Sequence, residues 1–190
     1  IASRAYRDIT PEAACILAGE PPLTLSLAAR AIRWRVGQGM PIHNWMHLQP
    51  LTHDEIVANA DTLTAKWREE TTAAWDRSWQ NHKKSWWTHW LFPKVQARLN
   101  LPFEPSFWSS QAMTGHGVFG AYLHSRKRKT NAQCSCGTGA EDASHVLLEC
   151  PLYIEGRPFD WSELTIDHVT YMENTTKLLW KKENPLFQDR

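Results

Sequence analysis

The stretch Cys134–Cys150 reads CSCGTGAEDASHVLLEC, which places three cysteines and one histidine at the spacing C-x-C-x8-H-x4-C. Structural zinc takes four tetrahedral ligands, and three thiolates with one imidazole are a common closed set. Gly137 and Gly139 give the first pair of cysteines the flexibility that a tight turn needs. Because four protein ligands leave no open coordination position, we expect one structural, non-catalytic zinc. Its expected ligands are Cys134, Cys136, His145 and Cys150.

A short helix is expected to carry His145, starting at Glu141 and Asp142. In an ideal α-helix Cys150 would lie about 140° around the axis from His145, too far to share a ligand face. The helix should therefore end near Glu149, and Pro151 supports that end.

Two other interpretations of the cysteines stay open. The thiols could lie beside the histidine by chance, or Cys134 and Cys136 could form a redox pair, which would leave His145 and Cys150 without a role. Clustered cysteines in a chain with no secretory signal favour metal ligands over disulfides. Cys15 lies far from the cluster on an apolar helix face, and we expect it to be a core thiol.

The dense basic run of the chain directly precedes the cysteine cluster. The 190 residues carry a net charge of only +1, so the whole-chain charge gives no argument for nucleic acid. A local run of four cations beside a zinc knuckle favours contact with phosphates, although a solvated loop is the alternative. The expected contacts are Arg126, Lys127, Arg128 and Lys129.

The remainder of the chain predicts a mostly α fold, with no convincing strand pattern. Helices are expected from Thr10 to Gly19, Leu23 to Val36, 54 to 82, Lys94 to Leu99, Ser106 to Met113, Val118 to Leu123 and Thr165 to Lys182, with a loop at 37–51. The capping box Thr52-His53-Asp54-Glu55 should open the longest of them. Leu27, Ala31 and Trp34 should form the apolar stripe of the second helix.

Composition excludes several classes of protein. The aromatic content, 11%, is too high for a disordered chain. The sequence also has no run of about 18 apolar residues, the length that a membrane-spanning helix needs. We find no glycine-rich nucleotide motif, no H-E-x-x-H and no G-x-S-x-G, so we expect no catalytic centre in this chain. Most of the eleven tryptophans should pack in the core, while Trp86, Trp87 and Trp90 stay open as a contact for nucleic acid or protein.

Three stretches together resemble a known family. They are TGHGVFGAYLHSRKRKTNAQCSCGTGAEDASHVLLECPLY (114–153), AYRDITPEAACILAGEPPL (5–23) and WWTHWLFPKV (86–95). They resemble the C-terminal linker and CCHC zinc knuckle of the reverse-transcriptase polyprotein of LINE-type, non-LTR retrotransposons. About ninety residues separate the outer stretches, too few for a ribonuclease H domain, so the chain is similar to the insect clade that targets ribosomal or telomeric repeats. It departs from many relatives in having C-x-C where they have C-x-x-C.

The resemblance implies a function and a domain organisation. The parent polypeptide would hold an N-terminal endonuclease and a central reverse transcriptase, while this segment would hold template RNA or target DNA during target-primed reverse transcription. Implied partners are RNA or DNA and the rest of the polypeptide, with no membrane; the implied location is the nucleus, after a cytoplasmic ribonucleoprotein stage. The expected segments are 1–36 after the reverse-transcriptase thumb, a Trp-rich linker at 37–105, the knuckle region at 106–155 and a C-terminal helix at 156–190.

Alternatives to this function remain. The chain starts at Ile1 and not at Met, so we expect a fragment of a longer polypeptide or a processed one. It could be a Trp-rich scaffold that packs on the reverse transcriptase without touching nucleic acid. It could also be a domesticated remnant that binds a protein partner.

Overall fold

A computed structural model of the chain describes residues 8–38, 40 and 53–184. The described residues are mostly helical, which confirms the predicted fold class; their one β-bridge is an isolated antiparallel pair, Gln133 and Ala140. The α-helices are α1 Pro11–Ala18, α2 Leu23–Gly37, α3 His53–Ala58, α4 Ala60–Asn81, α5 Trp86–Leu91, α6 Val95–Asn100, α7 Phe107–Thr114, α8 Gly120–Ser125 and α9 Ile166–Glu183. A π-helix, His145–Glu149, and a 3₁₀ turn, Pro151–Tyr153, lie between α8 and α9.

The chain divides into two compact units. Residues 20–82, with α2 to α4, form one unit, and the segments before and after them form the other. None of the helices described has both the length and the apolar character that crossing a bilayer requires.

Helix α1 begins and ends as the sequence predicts. The hydroxyl of Thr10 accepts a hydrogen bond from the amide of Ala13, and Gly19 ends the helix in the left-handed conformation at φ +68°. Ile16 and Leu17 are fully buried, whereas Cys15 is only half-buried. The prediction that Cys15 is a core thiol is therefore wrong, because its side chain is partly exposed to solvent.

In the unit of residues 20–82, α2 packs against α4. Among the α2 side chains that the structure describes, Ile32 is buried, while Leu27 and Trp34 are 53% and 59% exposed and Ala31 is also exposed. The predicted apolar stripe of α2 is therefore wrong. Ile32 lies about 140–160° around the helix from Leu27 and Trp34, so one neighbouring helix cannot cover both faces.

The expected helix at 54–82 is broken in two at Asn59. The side-chain amide of Asn59 donates to the carbonyl of Glu55 at 2.9 Å, and the carbonyl of Asn59 then accepts from the amide of Leu63. A short amide side chain that bonds to nearby backbone competes with the helical hydrogen-bond ladder, which explains the break. Thr52 and most of the predicted loop at 37–51 lie outside the described residues.

Helix α7 is at the centre of the other unit and packs against α9, α5 and α1. Its last carbonyls accept hydrogen bonds from α5, because Trp87 Nε1 donates to Ala112 at 2.7 Å and Thr88 Oγ1 donates to Met113 at 2.9 Å. From α9 the buried side chains include Val169, Met172 and Leu179, while Ile166 at the first turn is exposed. The knuckle segment follows α8 and leads into α9.

The tryptophans are divided between core and surface. Trp67, Trp75, Trp79 and Trp87 are buried, whereas Trp34, Trp86 and Trp90 are exposed. The remaining described tryptophans, Trp108, Trp161 and Trp180, are partly buried, and Trp45 lies outside the described residues. Core packing therefore accounts for fewer of them than we expected. Of the three left open by the sequence, Trp86 is the most accessible, at 64% exposed.

Candidate metal centre

The first two cysteines lie on a tight turn between the two residues of the β-bridge. The amide of Cys134 donates to the carbonyl of Gly139 at 2.8 Å, and the amide of Gly137 donates back to Cys134 at 3.0 Å. Gly137 has φ +81°, a conformation that glycine adopts without steric cost. The turn therefore brings the two thiols to one end of the segment, as the glycine pattern indicated.

The histidine and the third cysteine are at the two ends of the π-helix. Asp142 Oδ1 accepts hydrogen bonds from the amide of His145 at 2.9 Å and from the hydroxyl of Ser144 at 2.8 Å, which fixes the start of this helix. The amide of Cys150 donates to the carbonyl of His145 at 2.7 Å. The helix ends at Glu149, as predicted, but its i→i+5 bonding was not expected. A π turn holds more residues than an α turn, so Cys150 comes back towards the side of His145.

The four predicted ligand residues meet in one cluster. Their ligand atoms all lie within 4.8 Å of one another. The sulfurs of Cys134 and Cys150 are 3.7 Å apart, and the sulfur of Cys136 is 3.1 Å from His145 Nε2. Two thiolates bound to one tetrahedral zinc lie about 3.8 Å apart, whereas disulfide sulfurs lie about 2.05 Å apart. The spacing thus fits a shared metal ion, and all four cysteines of the chain are free.

The surroundings of Cys134 and Cys136 shift the pKa values of the two thiols in opposite directions. Burial raises the pKa of Cys134 to about 12. Hydrogen bonds from the hydroxyl and the amide of Thr138 lower the pKa of Cys136 to about 6. Since a metal binds the thiolate form, a metal ion would have to displace the proton of Cys134 on binding.

The imidazole is oriented by its neighbours on both sides. Its Nε2 faces the sulfur of Cys136, while Nδ1 lies 3.5 Å from the carboxylate of Glu149. A Cβ at Gly139 would lie 3.2 Å from His145 Nδ1, so the turn approaches the ring closely. A carboxylate on the second nitrogen is the arrangement that orients histidine ligands in many metal sites.

Sequence reasoning missed a buried carboxylate beside the cluster. Glu141 is fully buried and accepts from Lys129 and Lys182, each at 2.7 Å. Lys129 also pairs with Glu183 at 2.8 Å, and Lys182 donates to the hydroxyl of Ser135 at 2.6 Å. These bonds join the knuckle to α9. Glu141 was expected only at a helix start, and no local sequence signal distinguishes a buried carboxylate from a capping one.

A second group of residues holds the end of the π-helix and was also missed. Arg157 donates to the carbonyl of Cys150 at 2.5 Å and to that of Tyr153 at 3.3 Å. The hydroxyl of Tyr171 donates to the carbonyl of Tyr153 at 2.6 Å and lies 3.2 Å from the carbonyl of Leu147, which can share the same proton. Carbonyls at a helix end need such partners when they are buried. Arg157 and Tyr171 thereby fix the backbone that carries Cys150.

The structure separates the four predicted phosphate contacts. Arg126 pairs with Asp8, whose carboxylate also accepts from Tyr122 at 2.7 Å, and Lys129 is committed to Glu141 and Glu183. Lys127 and Arg128 are exposed, and their side chains make no hydrogen bond or ion pair with the described residues. These two cations are therefore the most available to an external anion.

Comparison with known proteins finds similarity to the proteins of one class of mobile element. The chain is 30% identical over 165 residues, 81% of its length, to a 115 kDa protein in the type-1 retrotransposable element R1DM of Drosophila melanogaster. It is 28% identical over 84% of its length to retrovirus-related Pol polyproteins from type-1 retrotransposable elements R1 of Nasonia vitripennis and of Bradysia coprophila.

The matched region is a minor part of those relatives. The chain spans 15%, 39% and 16% of the three, respectively. No family model matches the chain, and no solved structure matches it. The similarity to several R1 proteins confirms the resemblance that the three stretches indicated: the chain is homologous to a segment of the Pol polyproteins of R1-type non-LTR retrotransposons.

Proposed function

We propose that this chain is the nucleic-acid-binding C-terminal segment of an R1-type reverse-transcriptase polyprotein, with one structural zinc. It would help to hold template RNA or target DNA during target-primed reverse transcription. The observation that carries the proposal is the meeting of Cys134, Cys136, His145 and Cys150 within 4.8 Å, directly after a basic run. The similarity to Pol polyproteins supports a role beside nucleic acid.

Zinc is the metal that the ligand set favours. Three thiolates and an imidazole are soft and borderline donors, which suit zinc better than magnesium or calcium. We expect about one zinc per chain by elemental analysis of the purified protein. Cys136→Ser should lose the metal, whereas Cys15→Ser, which changes a thiol outside the cluster, should keep it. A folded, metal-free wild-type protein would contradict the proposal.

The phosphate contacts are proposed at Arg126, Lys127, Arg128 and Lys129, with the exposed Lys127 and Arg128 contributing most. Replacing these two by glutamine should lower the slope of log affinity against log salt by up to about two units, because each phosphate contact releases about one counterion. Lys83→Gln with Lys84→Gln is a matched control, since it removes the same charge from another exposed adjacent pair. An equal slope for the wild type and the Lys127/Arg128 variant would show that these cations do not touch phosphate.

The other parts of the proposal concern the parent polypeptide. The reverse transcriptase and the endonuclease would lie outside this chain, which would hold no catalytic centre of its own. Its partners would be RNA or DNA and the rest of the polypeptide, in a nuclear complex that follows a cytoplasmic ribonucleoprotein stage. The segments at 1–36, 37–105, 106–155 and 156–190 are retained as a proposal about its organisation.

One observation favours a second function, that of a scaffold for the reverse transcriptase or another protein. Leu23, Leu27 and Trp34 of α2 are all more than half exposed, and clustered exposed apolar side chains mark many protein interfaces. A gel-shift with the chain separates the two functions, because a scaffold alone would not retard RNA or DNA.

A further inference from the structure

A second candidate site is a cavity of about 350 Å³ in the unit that contains α9. Its wall combines the residues around the start of α1, the start of α5, the turn that ends α7 and the residues directly before the π-helix. This volume lies within the range of about 300–1,000 Å³ that small-ligand pockets occupy. The wall includes none of the four clustered cysteine and histidine residues and none of the basic run. The cavity is therefore separate from the metal centre.

The wall of this cavity includes Trp86, the most exposed tryptophan of the described residues. Its ring packs edge to face on that of Trp87, with centroids 5.8 Å apart, and 64% of its surface stays exposed. Exposed aromatic rings are surfaces on which unpaired bases stack. Ser85, directly before it, has φ +60°, uncommon for a residue other than glycine, and its hydroxyl is hydrogen-bonded to that of Thr10 at 3.0 Å. Local backbone strain of this kind is concentrated at functional sites, and here it precedes the tryptophan of the cavity wall.

The charged groups of the wall are two carboxylates, those of Asp8 and Asp142, and no lysine or arginine is among the lining residues described. Burial lowers the pKa of His116, the third ionisable group of the wall, so its ring is mainly neutral at pH 7. Two carboxylates repel a phosphate group, so the cavity suits a neutral ligand and not the nucleic-acid backbone. Asp142 Oδ1 accepts from the amide of His145 and the hydroxyl of Ser144, whereas Oδ2 has no hydrogen-bond partner among the described residues. A carboxylate oxygen can only accept, so Oδ2 fits an N–H group of the ligand.

The cavity adjoins the exposed cations of the basic run. Asp8 of the wall pairs with Arg126, and the ring of His116 stacks on that of Tyr122 in α8, with centroids 4.8 Å apart. The next two residues after this ion pair, 127 and 128, are the exposed cations for which phosphate contacts are proposed above. A single strand bound there by its phosphates would therefore carry its bases past the cavity.

We propose that this cavity binds one unpaired nucleobase, which stacks on Trp86 and donates a hydrogen bond from its amino group to Asp142. The site rests on the proposed function, since the basic run would supply the contacts to the backbone. Stacking on an aromatic ring tolerates every base. A carboxylate discriminates between bases, because it accepts from the N4 amino group of cytosine but meets only an acceptor at O4 of thymine. The site should therefore favour cytosine over thymine, a pyrimidine of similar size.

The stacking contact is tested by the affinity of the full chain for labelled oligo(dC) and oligo(dT) of equal length, measured by fluorescence anisotropy. Trp86→Ala should weaken binding to both by about fivefold or more, the effect of losing one stacked base. Trp86→Phe, which keeps an aromatic ring, should retain part of the affinity. Trp34→Ala is the matched control, because Trp34 is 59% exposed but belongs to α2 and does not line the cavity.

The contact to the amino group is tested by Asp142→Asn. This change keeps an oxygen that can accept from the amide of His145, and it replaces the other oxygen by an amide that donates. The wild type should bind oligo(dC) more tightly than oligo(dT), and the variant should lose or reverse this preference. Asp160→Asn is the matched control, since the carboxylate of Asp160 also accepts a nearby backbone amide, that of Ser162, at 2.8 Å but is exposed and outside the wall. It should keep the preference.

The outcomes distinguish failure of this site from failure of the proposed function. If the wild type binds neither oligonucleotide, both are wrong. If the wild type binds but Trp86→Ala and Trp34→Ala have equal affinities, the cavity is not a base site, although the proposed function stands. An unchanged preference for oligo(dC) in Asp142→Asn would overturn the contact to the amino group. Glutamine at 127 and 128 should weaken binding to both oligonucleotides and leave their ratio unchanged, because backbone contacts do not read the base.

Discussion

At the scale of single residues, Gly117 shows how one backbone position constrains the core. It has φ +87°, and a Cβ there would lie 1.9 Å from Gln111 Oε1. That oxygen accepts a hydrogen bond from the amide of Val118 at 3.0 Å, so the buried Gln111 side chain stabilises the turn between α7 and α8. Position 117 requires glycine for two reasons: its positive φ and the close approach of the Gln111 side chain to its Cα.

Gly117→Ala should therefore destabilise the protein by more than backbone strain alone. A residue forced into the left-handed region costs about 1–2 kcal/mol. Displacing Gln111 would cost about 1–3 kcal/mol more, because the amide of Val118 would lose its buried partner. Urea unfolding of the full chain measures the sum. Gly156→Ala is the control, since Gly156 has φ +71° but a Cβ added there would meet no atom within 4 Å. Equal losses for the two variants would refute the role of Gln111.

Arg98 is a second single residue that holds two parts of the chain together, because its guanidinium group binds backbone carbonyls of both. Its buried guanidinium donates to the carbonyl of Leu17 at 2.9 and 3.1 Å, to that of Leu101 at 3.1 Å and to that of Phe103 at 3.2 Å. Burial lowers the pKa of Arg98 from its ordinary value. The arginine thus satisfies the end of α1 and the chain after α6 at the same time.

At the scale of secondary-structure elements, Glu141 joins the knuckle to its neighbours. Burial acts to raise the pKa of Glu141, but the hydrogen bonds and charges of Lys129 and Lys182 outweigh it and hold that pKa below the usual value of 4.5. A carboxylate whose pKa is depressed by folding stabilises the protein fully above its unfolded pKa. That stabilisation is lost as pH falls through the lower, folded pKa.

Glu141→Gln should lower the free energy of unfolding by about 3–5 kcal/mol at pH 7, because it leaves two lysines at a buried site without their carboxylate. The difference between the wild type and this variant should stay constant down to about pH 4.5 and shrink below it, since the wild-type group is then protonated too. Urea unfolding across this pH range gives both curves. Glu163→Gln, at an exposed position, should show no such difference. A gap between wild type and Glu141→Gln that widens in acid would contradict the ion-pair assignment.

The elements also show which features a sequence can predict. Local sequence signals predicted two features correctly. Thr10 and Gly19 mark the start and the end of α1, and the spacing of the cysteines and the histidine indicated four residues that the fold brings together. The face of a helix that is buried depends on which other helix packs against it, and the sequence did not predict this. Helix α2 buries Ile32 where periodicity favoured Leu27 and Trp34, because both faces of that helix carry apolar residues.

Long-range partners account for the other misses. Glu141 and Lys182 are 41 residues apart and become a pair only when α9 packs beside the knuckle. The i→i+5 hydrogen bond from the amide of Cys150 to the carbonyl of His145 defines the π-helix, and hydrophobic periodicity over five residues cannot reveal it. The four residues that the fold brings together could be predicted from their spacing, but the residues that hold them in place could not.

At the scale of the whole molecule, the chain divides into two units, and each has helix packing of its own. In residues 20–82 α2 packs against α4 and α3 contacts both, while in the other unit α7 packs against α9, α5 and α1, and α1 packs against α6. All four residues of the cysteine cluster lie in the unit that contains α9. Tyr171 and the ion pairs of Glu141 connect the cluster to α9, and Arg157 connects it to the residues before α9. We therefore expect a change at the cluster to perturb α9 more than α4.

Removing the metal should open one unit and leave the other folded. Structural zinc contributes about 10–16 kcal/mol of binding free energy in small sites, comparable with the whole stability of a domain. After chelation, hydrogen exchange should accelerate strongly at 132–153 and next in α9, because the π-helix is held by Tyr171 and Arg157. Amides of α4 should keep their protection. Zinc, but not calcium, should restore the slow exchange, since calcium prefers oxygen ligands. Equal acceleration in α4 and at 132–153 would mean that the chain unfolds as one cooperative body, and unchanged exchange at 132–153 would mean that no metal supports the knuckle.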